Sequence, residues 1–171
     1  VSPIAVGCWQ FGDPEWGPME LSDAERAVRE ALHRGINLFD TAEVYGDGRS
    51  EQMLGKALRK EGQDAVVLGK IRGANLRPQA VRPAVEASLQ RLGRDELGIC
   101  LIHFPVDDVP VIETLGALND LREAGLVRAI GVSNFVNERL AEALDTGFVD
   151  AVENNYSLLW RHMAAGDGEL C

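Results

Sequence analysis

Apolar residues fall along this chain in two alternating rhythms. Short runs such as AVVLG at 65–69 and LGICLI at 97–102 are apolar at nearly every position, and longer stretches between them repeat apolar residues every three or four positions. The first rhythm predicts strands buried on both faces, the second amphipathic helices. An apolar run opens the chain. Ser22-Asp23-Ala24-Glu25 has the form of a capping box with Ser22 as N-cap, and the helix it starts carries Ala24, Val28, Ala31 and Leu32 on one face before Gly35 stops it. A strand over 36–40 follows. Met53, Leu54, Ala57 and Leu58 mark a second helix ending near Gly62, and a strand over 65–70 comes next. Val81, Val85, Leu89 and Leu92 mark a third helix, stopped at Gly93. Pro83 inside that pattern predicts a start near Arg82 or a bend there. A strand over 97–103, a helix with Ile112, Leu115, Leu118 and Leu121 ended at Gly125, a strand over 127–133, a helix near 138–144 and a strand over 149–155 continue the series. A last helix is expected after Leu159.

Five or six strand–helix units of about thirty residues, joined by short loops, leave two architectures: an open doubly wound sheet or a (β/α)8 barrel. No GxGxxG follows any strand, which argues against a dinucleotide site of the open-sheet kind. Polar residues instead stand at the ends of successive strands. Asp40 ends INLFD, Lys70 ends AVVLGK, His103 follows LGICLI and Ser133 with Asn134 closes LVRAIGVSN, at intervals of 30, 33 and 30 residues. Polar residues at the carboxyl ends of several different strands are what a barrel active site looks like.

The 171 residues suffice for one domain with a real core. Seventeen basic and twenty-seven acidic residues give a net charge of −10, which disfavours nucleic acid or an anionic membrane as a general partner, while leaving room for a local basic pocket. No apolar run reaches the ~20 residues of a membrane span. Cys8, Cys100 and Cys171 are far apart and in no metal or disulfide spacing, and a reducing cytoplasm is the expected setting. The chain opens on Val1 and stops within GDGELC, so it reads as a piece of a longer protein, a single partial domain over 1–171. Oligomeric state is not legible.

The strand-end residues suit carbonyl reduction. Tyr45, in TAEVYG after Asp40, is the candidate general acid. A free phenol has a pKa of about 10, and the ammonium of Lys70 would lower it. Asp40 would hold Lys70 charged and oriented, and His103 would hydrogen-bond the carbonyl oxygen or relay its proton. The hydride must come from outside the side chains, which implies a nicotinamide cofactor. Each residue taken singly is an ordinary cap, loop or surface residue, and their shared placement at one end of successive units carries the reading. His33, in the last turn of its helix, and His162 read as structural, and Trp16 in DPEWGP as a loop aromatic.

FDTAEVYGDGRSEQMLGKAL, the Lys-terminated third strand, EASLQRLGRDELGICLIHFP and GLVRAIGVSNF together resemble the aldo-keto reductases, in the right order from about Val1 to Arg161. The resemblance implies an incomplete (β/α)8 barrel, about six βα units of it, that reduces aldehyde or ketone carbonyls with NADPH bound in an extended form. It implies that Asp40, Tyr45, Lys70 and His103 match the catalytic tetrad. It further implies that Asp40, Ser133, Asn134 and Glu153 contact the cofactor, and that Trp9, Tyr45 and His103 line the substrate pocket.

Three departures qualify the match. Glu153 in AVENNY stands where the family has Gln, and Cys8 where many members have Thr. The chain also stops before the seventh and eighth units, which in the family stack on the nicotinamide and grip the cofactor phosphates. A carboxylate at 153 can accept from the carboxamide but not donate to it, and its charge is expected to favour NADP+ over NADPH, with a Glu turned to solvent or paired with a base as the equal alternative. Two other readings stand beside the reductase: a cofactor-binding regulatory module of the same fold, and an inactive truncated remnant whose open strand edges favour aggregation.

Overall fold

A computed structural model describes residues 1–12, 16–61 and 64–161. Among these residues six strands alternate with five α-helices. The order is β1 (Ala5–Gly7), α1 (Leu21–His33), β2 (Leu38–Asp40), α2 (Arg49–Glu61), β3 (Val66–Ile71), α3 (Pro78–Leu92), β4 (Leu97–Ile102), α4 (Val111–Glu123), β5 (Val127–Ser133), α5 (Asn137–Asp145) and β6 (Ala151–Glu153). All strand pairs are parallel, and their spatial order is the chain order, β1 to β6. A doubly wound sheet reverses its strand order at a switch point. This sheet never does, so it is the incomplete wall of a (β/α)8 barrel.

The register sorts the side chains onto two faces. Asp40 pairs with Leu68, Lys70 with Leu101, Leu101 with Gly131, and Ser133 with Glu153. With the strand period of two, these residues share the inner face. Phe39, Val67, Ile71, Cys100, Ile102, Ile130 and Val132 take the other face and form the core with the buried stripes of the helices, among them Ala24, Val28, Leu54, Ala57, Val85, Leu89, Leu115 and Leu118. The polar strand ends are therefore carried on a sheet whose outer face is packed from β2 to β5.

Several expected details shift. Helix α1 begins at Leu21, and the capping box at Ser22 does not form. Glu20 is the extended residue before the helix, and its backbone carbonyl, not a serine hydroxyl, accepts from the amides of Asp23 and Ala24. Helix α3 begins at Pro78, in the first-turn position proline favours, and runs through Pro83. In α4 the expected Leu115, Leu118 and Leu121 are buried, and only the first position of the stripe differs. Ile112 is 51% exposed, whereas Val111 and Thr114 are buried, and the Thr114 hydroxyl donates to the Leu76 carbonyl at 2.7 Å. Strands β2 and β6 are shorter than predicted, three residues each. The expected stops at Gly35, Gly93 and Gly125 all adopt the left-handed backbone that glycine enters without a Cβ penalty. Gly62, His162, Cys171 and most of the last expected helix lie outside the described residues.

Candidate active site

Lys70 is the hub. It lies on the inner face of β3 and is 2% exposed. Its ammonium is hydrogen-bonded to the Asp40 carboxylate, lies 3.4 Å from the Tyr45 hydroxyl and 3.3 Å from Glu153 Oε1. Burial pulls the Lys70 pKa down, but the carboxylates of Asp40 and Glu153 outweigh it, so the ammonium titrates above the ordinary lysine value. A buried lysine is tolerated here because it is paired.

Tyr45 reaches the hub from the loop after β2. That loop is shaped by buried polar groups with no place in the sequence reading. Thr41 Oγ1 and Ser50 Oγ lie 2.9 Å apart, and the Ser50 hydroxyl donates to the Cys8 carbonyl at 2.6 Å, joining the ends of β1 and β2 to the start of α2. The buried Glu43 carboxylate accepts from the Arg72 amide at 2.6 Å and from Asn75 Nδ2 at 2.9 and 3.0 Å, holding the loops after β2 and β3 together. A visible signal existed for these residues: short polar side chains and a carboxylate crowded into one strand-to-helix connection. At Gly46, beside Tyr45, φ is +57° and an added Cβ would lie 2.1 Å from the Gly12 carbonyl oxygen.

Aromatic rings surround the phenol. Trp9 stacks on Tyr45 with centroids 5.7 Å apart, His103 meets it edge-on at 5.7 Å, and Phe104 stacks on His103 at 4.6 Å. Trp16 packs against Trp9 at 5.6 Å, so this expected loop residue joins the aromatic rim. Burial raises the Tyr45 pKa, and Lys70 lowers it by less, so the net direction is upward, opposite to the expectation from Lys70 alone. Burial and the Lys70 charge hold His103 down at about 4, which makes it a neutral imidazole at physiological pH.

Ser133 and Asn134 close the far side. Asn134 has φ +62° and its Nδ2 donates to the His103 carbonyl at 2.9 Å and to Ser133 Oγ at 3.0 Å. Its two amide hydrogens are thereby occupied, leaving Oδ1 as an acceptor, while the Ser133 hydroxyl turns its proton toward the Glu153 carboxylate. The free Asn134 amide oxygen suits the N–H donors of a primary amide such as the nicotinamide carboxamide. Glu153 faces the same corner with its carboxylate on Lys70, so of the readings open for it the structure shows the pairing with a base.

The profile of the Aldo/keto reductase family matches residues 3–166. The chain belongs to the aldo/keto reductase family. It is 36% identical over 174 residues to the aldo-keto reductase YhdN of Bacillus subtilis, covering 95% of this chain and 52% of that one. It is 34% identical over 187 residues to the NADH-specific methylglyoxal reductase of Escherichia coli, covering 95% and 57%. Among solved structures, an aldo/keto reductase from Klebsiella pneumoniae in complex with NADP and acetate superposes with a TM-score of 0.89 at 29% identity, over 97% of this chain and 58% of that one. The chain thus spans about half the length of the relatives it matches. As an aldo/keto reductase segment it carries the strand ends of β1 to β6, and no helix among the described residues is long and apolar enough to cross a membrane.

Proposed function

We propose that the protein carrying this chain reduces aldehyde or ketone carbonyls to alcohols with NADPH. The observation that carries this reading is the junction at Lys70, where one buried ammonium lies within hydrogen-bonding reach of both the Asp40 carboxylate and the Tyr45 hydroxyl. When bound, a nicotinamide cofactor supplies the hydride. Tyr45 Oη donates the proton that the carbonyl oxygen takes up, and Lys70 stabilises the phenolate left behind. Asp40 orients Lys70. Neutral His103 donates a hydrogen bond to the same oxygen, and Trp9 and Phe104 supply an apolar rim beside it. Ser133 and Asn134 hold the carboxamide, with Glu153 at its edge, and the substrate lies among Trp9, Tyr45 and His103.

The cofactor is a nicotinamide dinucleotide in each solved relative described as an NADP or NADPH complex, whereas the Escherichia coli relative is NADH-specific. We assign NADPH, and comparing kcat/KM for the two cofactors checks it. The buried free thiols of Cys8 and Cys100 support the cytoplasm as the setting. The decisive experiment is Tyr45→Phe in the protein carrying this chain. Reduction of a simple aromatic aldehyde should fall at least a hundredfold while cofactor binding, followed by fluorescence quenching, is retained. Full activity in that variant overturns the assignment. Cofactor binding without turnover in the wild type would favour a binding module instead.

A further inference from the structure

The tetrad accounts for one carboxylate on Lys70, and the structure has two. Asp40 approaches from β2, next to the lysine's own strand, and Glu153 from β6, three strands away on the other side, and both reach the same ammonium. A lysine ammonium has three hydrogens, and the three acceptors around Nζ are Asp40, Glu153 and the Tyr45 hydroxyl. The register places Glu153 opposite Ser133 on the inner face, so the strand itself aims its side chain at this point. Burial, helped by the Asp40 charge, raises the Glu153 pKa above the ordinary carboxylate value in spite of Lys70 and the neighbouring Ser133 hydroxyl.

We propose that Glu153 is a positioning residue of this site: as a second carboxylate on Lys70, it offsets the lysine's positive charge at Tyr45 and keeps the phenol in its proton-donating form. The inference rests on the reductase reading above and deepens it. A single carboxylate and an ammonium are together neutral, so the phenol beside them can ionise without meeting net negative charge. With two carboxylates the same cluster carries one negative charge, and a phenolate would add a second. Like charges a few ångströms apart in a buried site oppose ionisation strongly.

The other groups that face Lys70 leave the balance unchanged. Neutral His103 comes from the end of β4, and the Ser133 hydroxyl from β5 carries no charge. Cys8, after β1, is a buried thiol whose pKa burial pushes well above the ordinary value, with Asp40 adding to the effect, so it stays protonated. Glu153 is the only charge in the cluster beyond the tetrad among the described residues. Its consequence is kinetic. A phenol that resists ionisation donates over a wide pH range, which serves reduction, and it is a poor acceptor at neutral pH, which slows alcohol oxidation.

Tyrosinate absorbance tests this without cofactor or substrate. The Tyr45 signal is the difference between the pH titration of a protein and that of its Tyr45→Phe counterpart. In Glu153→Gln the midpoint should fall by about one unit or more, and in Glu153→Asp, which keeps the charge, it should stay near the wild-type value. Alcohol oxidation at neutral pH should rise about tenfold per unit of that fall, and the alkaline limb of reduction should move down with it. An unmoved midpoint in Glu153→Gln overturns the proposal, even if cofactor affinity changes, because Glu153 is then a carboxamide contact only. An equal fall in both variants also overturns it, since charge would not be the cause. Failure of the reductase reading is separate: it shows as carbonyl reduction surviving Tyr45→Phe, and the tyrosinate midpoint still judges Glu153.

Discussion

The side-chain amide of Asn134 donates to the backbone carbonyl of His103 across 2.9 Å, tying the end of β5 to the residue that follows β4. Two adjacent strands thus fix the imidazole's backbone from below while its ring meets Tyr45. Asn134 sits at φ +62°, where asparagine is tolerated better than most residues. Asn134→Ala should cost about 2 kcal/mol, one part from the lost hydrogen bonds and one from the backbone. Asn134→Gly should cost about half as much, because it relieves the backbone. Both should weaken cofactor binding alike. Urea unfolding together with cofactor titration checks the split, and equal destabilisation by the two variants would contradict it.

His103 should titrate far below the ordinary histidine. Its imidazole, held at about 4 by burial and Lys70, should show no charged form at pH 6 in an NMR titration. The linkage has a definite sign. Between pH about 6.5 and about 4 the unfolded chain binds a proton that the folded chain refuses, so stability is lost as pH falls through that window. The full effect is on the order of 3 kcal/mol, and His103→Gln should remove it. A midpoint near 6.5 would refute this.

The Glu51 carboxylate is fully buried and pairs with Arg91 Nε at 2.5 Å, joining α2 to α3. Burial raises its pKa in spite of that partner. Arg91→Ala strands a buried carboxylate and should destabilise by about 3 kcal/mol, whereas Glu51→Gln removes the charge and should cost about 1 kcal/mol. Denaturant midpoints at neutral pH give the comparison. The reverse order would mean that the pair is not held together as described.

Gly46 and Gly35 both have positive φ, but only Gly46 is crowded. At Gly46 an added Cβ would strike the Gly12 carbonyl, while at Gly35 it meets nothing within 4 Å. Gly35→Ala should cost about 1 kcal/mol and leave carbonyl reduction intact. Gly46→Ala should cost about 3 kcal/mol or more and displace Tyr45, lowering kcat. Thermal melts and steady-state kinetics on the two variants check this.

Much of the site was legible because a parallel βα repeat puts the end of every strand on one rim. Asp40, Lys70 and His103 can be found by counting one unit at a time, and β5 falls on its predicted residues. Charge pairing across the sheet is different. Nothing local in AVENNY says whether Glu153 meets a cofactor amide, solvent or Lys70, because the answer depends on the distance between β3 and β6. One helix position, Ile112, was misplaced for a related reason. Ile112 and Val111 are both apolar, and only packing against Leu76 through Thr114 selects the latter for the core. The capping box failed because the helix already begins at Leu21, which places Ser22 inside the first turn instead of before it. The upward pKa of Tyr45 was missed because desolvation is a property of the assembled rim, not of the residue list.

The strand order also bears on how the protein is made. Each described strand after β1 pairs with the one before it in sequence, so β2 to β6 each find a partner already made as the chain leaves the ribosome, and loop closure between them stays short. Lys70 meets its first counter-ion, Asp40, from the strand just upstream, and β3 can bury at once with a neutralised ammonium. Glu153 emerges only with the last described strand. The two carboxylates that share one lysine therefore arrive at different moments of synthesis: the first permits the sheet to grow, and the second arrives only once most of that sheet has been laid down.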